Sequence, residues 1–245
     1  MTWISRPLVG FDVESTGVDP ESDRIVTAAV VSYDGGGRPA RVRTWMADPG
    51  VPIPAGATKV HGITTELARS AGRPAAAVVA EVVAALVEAV NDGPPIVVMN
   101  APFDLTMLER EAERHGTKSL FSAAVPLVLD PRVLDKHADR YRRGSRRLED
   151  LCRTYGVEHG GAHDAGADAV AACDVTVAIG EAYPHLGRMP LEDLHERQAR
   201  WYADQQASLR EHFATTPGKA HLVASVRTDW PLVPAMRTGF EGWGR

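Results

Sequence analysis

Four carboxylates and one histidine stand in sequence contexts that could bind divalent metal ions. The first pair, Asp12 and Glu14, lies in PLVGFDVESTG, where an apolar run predicts a strand that leads into a turn. Side chains alternate between the faces of a strand, so the two carboxylates point the same way. Neighbouring carboxylates on a buried face repel each other and lose hydration, which calls for a cation or for protonation. A strand that runs into a solvated turn gives the same motif.

The other three residues lie later in the chain, beside predicted helices. Asp104 follows a second apolar run, Ile96 to Met99, and comes before LTMLEREAERHG. A helix N-cap is the simple alternative for this aspartate. His163 precedes a predicted helix, and Asp168 lies in its first turn, where the helix dipole favours an acid. Each residue has a structural explanation alone, but the five in this order indicate a two-metal phosphodiesterase site.

The three motifs resemble those of the DEDDh-type 3′→5′ exonucleases, the family that includes the proofreading epsilon subunit of bacterial DNA polymerase III. FDVESTG matches the first motif, NAPFD the second, and HDAGAD the third. The similarity runs from about Pro7 to about Tyr183 and includes DRIVTAAVV, HGIT and RRLEDLCRTYGV. It implies hydrolysis of DNA from the 3′ end, with release of nucleoside 5′-monophosphates, in proofreading or repair.

The resemblance assigns a role to each of the five residues. It implies that Asp12 bridges two metal ions, and that Glu14 and Asp168 hold the ion that binds the attacking water. Asp104 would support the other ion, and His163 would take the proton from the water. Two divalent ions activate a water molecule and stabilise charge on the phosphorus. An all-oxygen ligand set suits Mg²⁺ or Mn²⁺ and disfavours zinc.

A second set of residues is assigned to the substrate. The backbone around Ser15 and Thr16 would meet the terminal 3′-OH, and Asn100 belongs to the second motif. His61, in HGIT, would line the terminal-nucleotide pocket, although a histidine that stabilises a turn is an equal alternative. Phe103 could stack on a base, whereas an aromatic residue at that spacing is more often part of the core.

Two positions depart from the family pattern. Met99 stands where the family commonly has a histidine, and Asp164 stands where a basic residue often follows the histidine of the third motif. Neither change removes an expected metal ligand or the base. Asp164 adds negative charge where a phosphate approaches, so the departures bear on rate and substrate preference.

Periodicity predicts the elements that position these residues. Three strands, about Leu8 to Glu14, Ile25 to Tyr33 and Arg41 to Met46, predict an antiparallel meander with a hairpin turn at Asp34 to Gly37. The segment from Val51 to Thr64 is interpreted as a loop punctuated by proline and glycine.

The second half of the predicted fold alternates strands with helices. Pro74 begins a long helix to about Val90, and strands follow at Ile96 to Met99 and Val125 to Leu129. Strands separated by helices imply parallel crossovers. The predicted fold class is α/β, and by resemblance it is an RNase H-like mixed five-stranded sheet with helices on both faces.

The pattern changes after Tyr183, which predicts an exonuclease domain over residues 1–183 and a C-terminal helical extension over residues 184–245. LEDLHERQARWYADQQASLREHFA predicts one amphipathic helix that ends near Pro217, before an irregular tail that contains Trp243. The apolar face of this helix must be covered by its own domain, by a second copy or by a replication or repair protein. Packing on its own domain is preferred because the link is short.

The composition limits the classes of protein to which the chain can belong. The chain has 245 residues, 44% of them hydrophobic, and a formal net charge of −5. Cys152 and Cys173 lie among apolar residues of predicted helices and are expected to be buried free thiols. No apolar stretch approaches the roughly 20 residues that span a bilayer, so no membrane partner and a cytoplasmic location are expected.

One stretch of the chain is basic although the net charge of the whole chain is negative. It lies between the second and third motifs and contains Arg132, Lys136, Arg140, Arg142, Arg143, Arg146 and Arg147. These cations could flank the cleft and bind phosphates. A solvated helix face with a flexible RRGSRR turn is an equal alternative.

The sequence is compatible with three functions. The leading one is a metal-dependent exonuclease that acts on the single-stranded 3′ end of DNA. An RNA-trimming exoribonuclease of the same superfamily differs only in whether the pocket accepts a 2′-OH. A non-catalytic module that binds a polymerase or repair partner is the third, and the intact set of five residues argues against it.

Overall fold

The computed structural model describes residues 2–34, 39–91, 93–161 and 163–235, and in them the chain forms one mixed sheet. The strand order is β4-β3-β2-β1-β5-β6. The six strands are β1 (Leu8–Ser15), β2 (Ile25–Tyr33), β3 (Pro39–Asp48), β4 (Arg73–Pro74), β5 (Ile96–Val97) and β6 (Val128–Leu129).

The first three strands form the predicted antiparallel meander. Leu8 pairs with Tyr33 at one end of the β1–β2 ladder, and Glu14 pairs with Thr27 near the other. β1 then pairs in parallel with β5, and β5 with β6, as the predicted crossovers require. The hairpin predicted at Asp34 to Gly37 falls mainly outside the described residues.

The expectation of five strands was wrong, because the sheet has six. The additional strand, β4, pairs in parallel with Ala47 and Asp48 at the end of β3. Two residues are too few to show an alternating pattern, and the pairing partner is distant in sequence. β5 and β6 are also shorter than expected, since Met99 and Val125 lie outside them.

Helices cover both faces of the sheet, which confirms the predicted class. The α-helices of the described part of the chain are α1 (Ala55–His61), α2 (Thr65–Ala71), α3 (Ala75–Val90), α4 (Ala101–Arg114), α5 (Leu120–Ala123), α6 (Pro131–Ala138), α7 (Leu148–Tyr155), α8 (Ala165–Ala182), α9 (Pro184–Gly187) and α10 (Leu191–Thr215). One hydrophobic cluster joins β-strand residues to α3, α4 and α5, and a second joins them to α6, α7 and α8. A third, small cluster contains Val26, Ile53 and Ala68. Cys152 and Cys173 are buried free thiols in α7 and α8, as expected.

The loop predicted from Val51 to Thr64 contains a helix, so that expectation was wrong. Pro54 occupies the N-cap of α1, and Gly62 ends the helix in the left-handed conformation, with φ at +77°. Proline before a helix and glycine after it are ordinary helix boundaries. The proline and glycine residues that suggested a loop therefore lie at the two ends of a short helix.

α10 forms over the predicted segment and packs on the edge of the sheet. Leu194 and Gln198 are fully buried. The Gln198 side chain accepts a hydrogen bond from Asp130 N at 2.8 Å and donates one to Val128 O at 3.0 Å. α10 therefore covers the outer edge of β6, which would otherwise present unpaired backbone groups. The tail beyond residue 235, including Trp243, lies outside the described residues.

Within the described ranges, no helix is both long enough and apolar enough to cross a membrane.

Candidate active site

The first two carboxylates lie at the end of the central strand. Asp12 and Glu14 are both partly exposed on β1. Phe11, before Asp12, and Val13, between the two acids, are buried. The alternation predicted for this strand therefore places the two carboxylates on one face. The β1–β2 ladder shifts register between Glu14 and Ser15, directly after the second carboxylate.

Asp104 is fixed beside this pair by a hydrogen bond to the same strand. It lies in the first turn of α4, and its Oδ1 accepts from Val13 N at 3.0 Å. The N-cap of α4 is Asn100, in the left-handed conformation with φ at +65°, so the N-cap alternative for Asp104 was wrong. The helix begins earlier than expected because Pro102 is favourable in the first turn.

The third motif lies at the N-terminus of α8. Asp168 is in the first turn, as predicted, and its Oδ2 accepts from His163 N at 3.1 Å. Asp164, one of the two departures from the family pattern, is the N-cap of α8 and accepts from Ala167 N at 2.9 Å. A basic residue at this position would not cap the helix in this way.

The three motifs converge on one site. Ligand atoms of Glu14, His163 and Asp168 all lie within 4.8 Å of one another. Burial raises the pKa of the Asp12 carboxyl well above its usual value, and Asp104, then Asp168 and Glu14, raise it further by repulsion. Carboxylates that are distant in sequence are therefore close enough to disfavour each other's charge.

The electrostatics of this cluster fit a bound divalent cation. Burial, followed by repulsion from Asp168 and Asp164, raises the pKa of Glu14 to about 7. Burial also raises the pKa of Asp104, against two backbone hydrogen bonds that lower it. Without a cation, burial and mutual repulsion favour the protonated forms of these carboxyls. An oxygen-rich donor set of this kind suits Mg²⁺ or Mn²⁺.

His159 belongs to the site, although sequence reasoning missed it. Its Nε2 lies 2.5 Å from Oδ1 of Asp168, and both side chains are largely buried. This contact orients a carboxylate that is an expected metal ligand. The only signal in the sequence is the position of His159 four residues before His163, which the family motif does not include.

Ser15 and Thr16 lie in the turn that follows β1, as expected. The Ser15 hydroxyl donates to Gly17 O at 2.7 Å, and the Thr16 hydroxyl donates to Asp23 Oδ1 at 2.8 Å. The Thr16 amide donates to Arg24 O at 2.9 Å. Both hydroxyls and this amide therefore stabilise the turn, and a role for these residues in binding the 3′-OH stays a prediction.

His61 ends α1 close to the site. Its Nδ1 accepts from Ile63 N at 3.2 Å, which is the turn-stabilising contact considered above. Its Nε2 is shielded from solvent and lacks a hydrogen-bond partner of normal geometry within the described chain. Burial lowers the pKa of His61, the Ser15 backbone partly opposes this, and His163 adds to it. One ring nitrogen therefore makes the turn-stabilising contact, and a role for His61 in the terminal-nucleotide pocket stays a prediction.

A cleft of about 450 Å³ adjoins the carboxylate cluster. Its wall includes His163, Asp168, Asn100, Arg132 and Arg147. The Arg132 guanidinium donates to Asn100 Oδ1 at 3.0 Å, so a cation and an amide of the second motif face the same space. Phe103 packs partly buried against the core on the α4 side of the sheet.

The basic stretch divides into two groups. Arg142 and Arg146 bind the fully buried carboxylate of Asp135, at 3.0 and 2.6 Å, and are largely buried themselves. Arg132, Arg146 and Arg147 line the cleft. Arg146 belongs to both groups, because it binds Asp135 and also lines the cleft. The stretch is therefore not simply a solvated helix face, and its binding of phosphates stays a prediction.

A family model described as RNase_T, Exonuclease, matches residues 9–176. Two curated relatives agree with it. A DNA polymerase III subunit epsilon-like protein of Rhodobacter capsulatus is 42% identical over 105 residues, which cover 42% of this chain and 14% of that protein. A PolC-type DNA polymerase III of Lacticaseibacillus paracasei is 28% identical over 195 residues, which cover 79% of this chain and 13% of that protein. The chain thus spans a small part of these relatives.

Solved structures show the same fold. Exonuclease I of E. coli in complex with a dT13 oligonucleotide has a TM-score of 0.64 at 23% identity, over 74% of this chain and 42% of that chain. Exonuclease I of Methylocaldum szegediense has a TM-score of 0.61 at 22% identity, over 81% and 45% of the two chains. The chain spans less than half of these proteins.

Proposed function

Because this chain belongs to the RNase_T exonuclease family, we propose that it is a metal-dependent 3′→5′ exonuclease that degrades single-stranded DNA to nucleoside 5′-monophosphates. The observation that supports this most strongly is the convergence of carboxylates from three motifs around Asp12, whose pKa burial and repulsion raise. A protein that only binds a partner has no need to hold such a repulsive cluster.

Metal ions held by the four carboxylates would supply Lewis acidity and an activated water. In this proposal Asp12, Glu14, Asp104 and Asp168 would hold the two ions. His163 accepts a proton from the attacking water through its imidazole, which lines the cleft. The new bond forms between the water oxygen and phosphorus. The bond from phosphorus to the 3′ oxygen of the preceding nucleotide breaks, and that oxygen leaves with the electron pair and takes a proton from solvent to become the new 3′-OH. Arg132 and Arg147 offset the charge of the phosphate.

DNA is the proposed substrate because both curated relatives are named as DNA polymerase III proteins and E. coli exonuclease I was solved with dT13. The names of the same relatives support the proposal that the chain acts beside a DNA polymerase, in proofreading or repair. The carboxylate cluster would serve equally on RNA, so the choice of sugar depends on the terminal-nucleotide pocket around His61.

The direct test uses 5′-labelled 20-mers of DNA and RNA with Mg²⁺, with Mn²⁺ and with EDTA. We expect a ladder of products shortened from the 3′ end in either metal, with DNA the better substrate and no products in EDTA. A 3′-phosphorylated DNA of the same sequence should resist cleavage. Cleavage that persists in EDTA, or that starts within the strand, would contradict the proposal, and a preference for RNA would select the exoribonuclease.

A further inference from the structure

A groove of about 480 Å³ lies between α6 and α10, outside the cleft. Its lining contains no residue of the carboxylate cluster and includes Lys136, His137, Arg140, Tyr141, Trp201 and Asp204. The groove thus combines cations with aromatic rings, the two kinds of group that bind single-stranded nucleic acid.

The cations of the groove have little compensating charge. Lys136 and Arg140 form no ion pair with a carboxylate among the described residues. The Arg140 guanidinium makes a long contact, 3.4 Å, with the Ser208 hydroxyl. Burial lowers the pKa of Lys136, and nearby arginines, Arg146 first, lower it further, while Asp135 opposes them. Asp204 also lines the groove. Positive charge therefore exceeds negative charge here, as in a site for phosphates.

Aromatic rings lie beside these cations. Tyr141 is 85% exposed, and the Arg140 guanidinium lies 5.8 Å from the centre of its ring. His137 and Trp201 form a stacked pair, with ring centroids 3.6 Å apart. An exposed tyrosine held beside a cation offers a ring face to a base, and such stacking tolerates any sequence.

One face of α6 extends from the cleft to the groove. Arg132 and Lys136 are four residues apart on this helix, so they lie on the same side, about 6 Å apart along its axis. Arg132 lines the cleft and donates to Asn100, whereas Lys136 lines the groove. A chain of phosphates that leaves the cleft would meet a second cation at once.

We propose that this groove binds the single strand upstream of the scissile phosphate, with phosphates beside Lys136 and Arg140 and a base against Tyr141. The inference rests on the proposed function, since it concerns the path of the same substrate. An acidic protein segment would also meet these cations. Continuity with the cleft and the exposed ring favour nucleic acid.

The test compares two variants with a matched control. Lys136→Gln/Arg140→Gln and Tyr141→Ala alter the groove. Arg6→Gln/Arg188→Gln removes the same charge from exposed arginines that line a separate pocket of about 270 Å³. Affinity for dT20 and dT3 is measured in EDTA by fluorescence anisotropy across a salt series, and kcat/KM is measured on both oligonucleotides in Mg²⁺.

We expect the double groove variant to bind dT20 more weakly, with a salt slope smaller by about 1.4, since about 0.7 counterion is released per phosphate contact on a single strand. Tyr141→Ala should weaken dT20 binding by roughly 5- to 100-fold, the loss of one stacked base. Binding and cleavage of dT3 should be unchanged in both variants, and the control should behave as wild type.

Equal losses on dT3 and dT20 would place the effect in the cleft and overturn the inference, as would no loss on dT20. An unchanged dT20 affinity, with loss of binding to an acidic peptide, would assign the groove to a protein instead. If the wild type cleaves neither oligonucleotide, the proposed function fails, and length-dependent binding in EDTA still decides whether the groove binds DNA.

Discussion

His163 is held beside the carboxylates by its backbone rather than by its side chain. Its amide donates to Asp168, and its φ of +65° is uncommon for a residue other than glycine. The side chain is 48% exposed, with Nε2 4.0 Å from Glu149. Uncommon backbone conformations cluster at functional sites, where the surrounding structure enforces them. The imidazole therefore lies at the cleft and is open to solvent, as the proposed role of a base requires.

Replacement of His163 by alanine should lower the rate of DNA cleavage by roughly 10²- to 10⁴-fold, the usual contribution of a positioned base. Affinity for Mg²⁺ should change little, because the carboxylates remain. Single-turnover cleavage and calorimetric Mg²⁺ titration measure the two quantities, with the exposed His221→Ala as control. A rate within threefold of wild type would remove His163 from the mechanism.

The carboxylate cluster should also make stability depend on pH when no metal is present. The pKa of Glu14, about 7, exceeds its usual value, so the folded state keeps a proton that the unfolded state has already lost. Stability in EDTA should therefore fall as the pH rises from about 5 to 8. Each kcal/mol lost lowers the melting temperature by roughly 2 to 4 °C. Added Mg²⁺ should remove most of this dependence; a profile that is flat in EDTA would contradict the repulsive cluster.

At the scale of elements, the long strands, the long helices and the spacing of the three motifs were predictable from local patterns. β2 has the predicted bounds, and Asp168 lies in the first turn of α8 as expected. The features that local patterns could not predict are those that form through contacts with residues distant in the sequence. β4 exists only through its pairing with β3, and His159 joins the site only because the loop before α8 folds back over Asp168.

The basic stretch from Arg132 to Arg147 shows the same limit. Local sequence did not indicate that Arg142 and Arg146 pair with the buried carboxylate of Asp135. Arg142→Ala/Arg146→Ala should lower the free energy of unfolding by about 3 to 5 kcal/mol, since Asp135 would lose both cations inside the protein. Arg143→Ala/Arg147→Ala should leave stability within about 0.5 kcal/mol and weaken DNA binding. Urea unfolding and anisotropy distinguish the two pairs. Equal stability of both variants would refute the division.

At the scale of the whole molecule, the C-terminal extension is part of the packing that supports the site. Gln198 of α10 binds the backbone of β6, and Val233 N donates to Thr106 Oγ1 in α4 at 3.0 Å. Trp230 and Tyr202 belong to the core that also contains β1. Packing on the same chain, the preferred alternative for this helix, agrees with these contacts. The division at residue 183 stays a prediction.

These contacts predict that loss of α10 destabilises the catalytic part of the chain. Gln198→Ala should lower the free energy of unfolding by about 2 to 4 kcal/mol, because two buried backbone groups lose their partners. Truncation after Tyr183 should cost more and yet leave metal-dependent cleavage detectable at low temperature. The exposed Arg197→Ala serves as control. A Gln198→Ala variant as stable as wild type would show that α10 covers the edge without stabilising it.

The most direct test of the central claim is single-turnover cleavage of single-stranded DNA by Asp12→Asn in saturating Mg²⁺. The substitution keeps the shape of the side chain and removes the charge around which the three motifs converge. We expect a rate below about a hundredth of wild type, with unchanged or increased stability in EDTA because repulsion is relieved. Asp193→Asn, an exposed acid at the start of α10, should cleave like wild type. A cleavage rate for Asp12→Asn close to that of this control would contradict the proposal that Asp12 holds the catalytic metal ions.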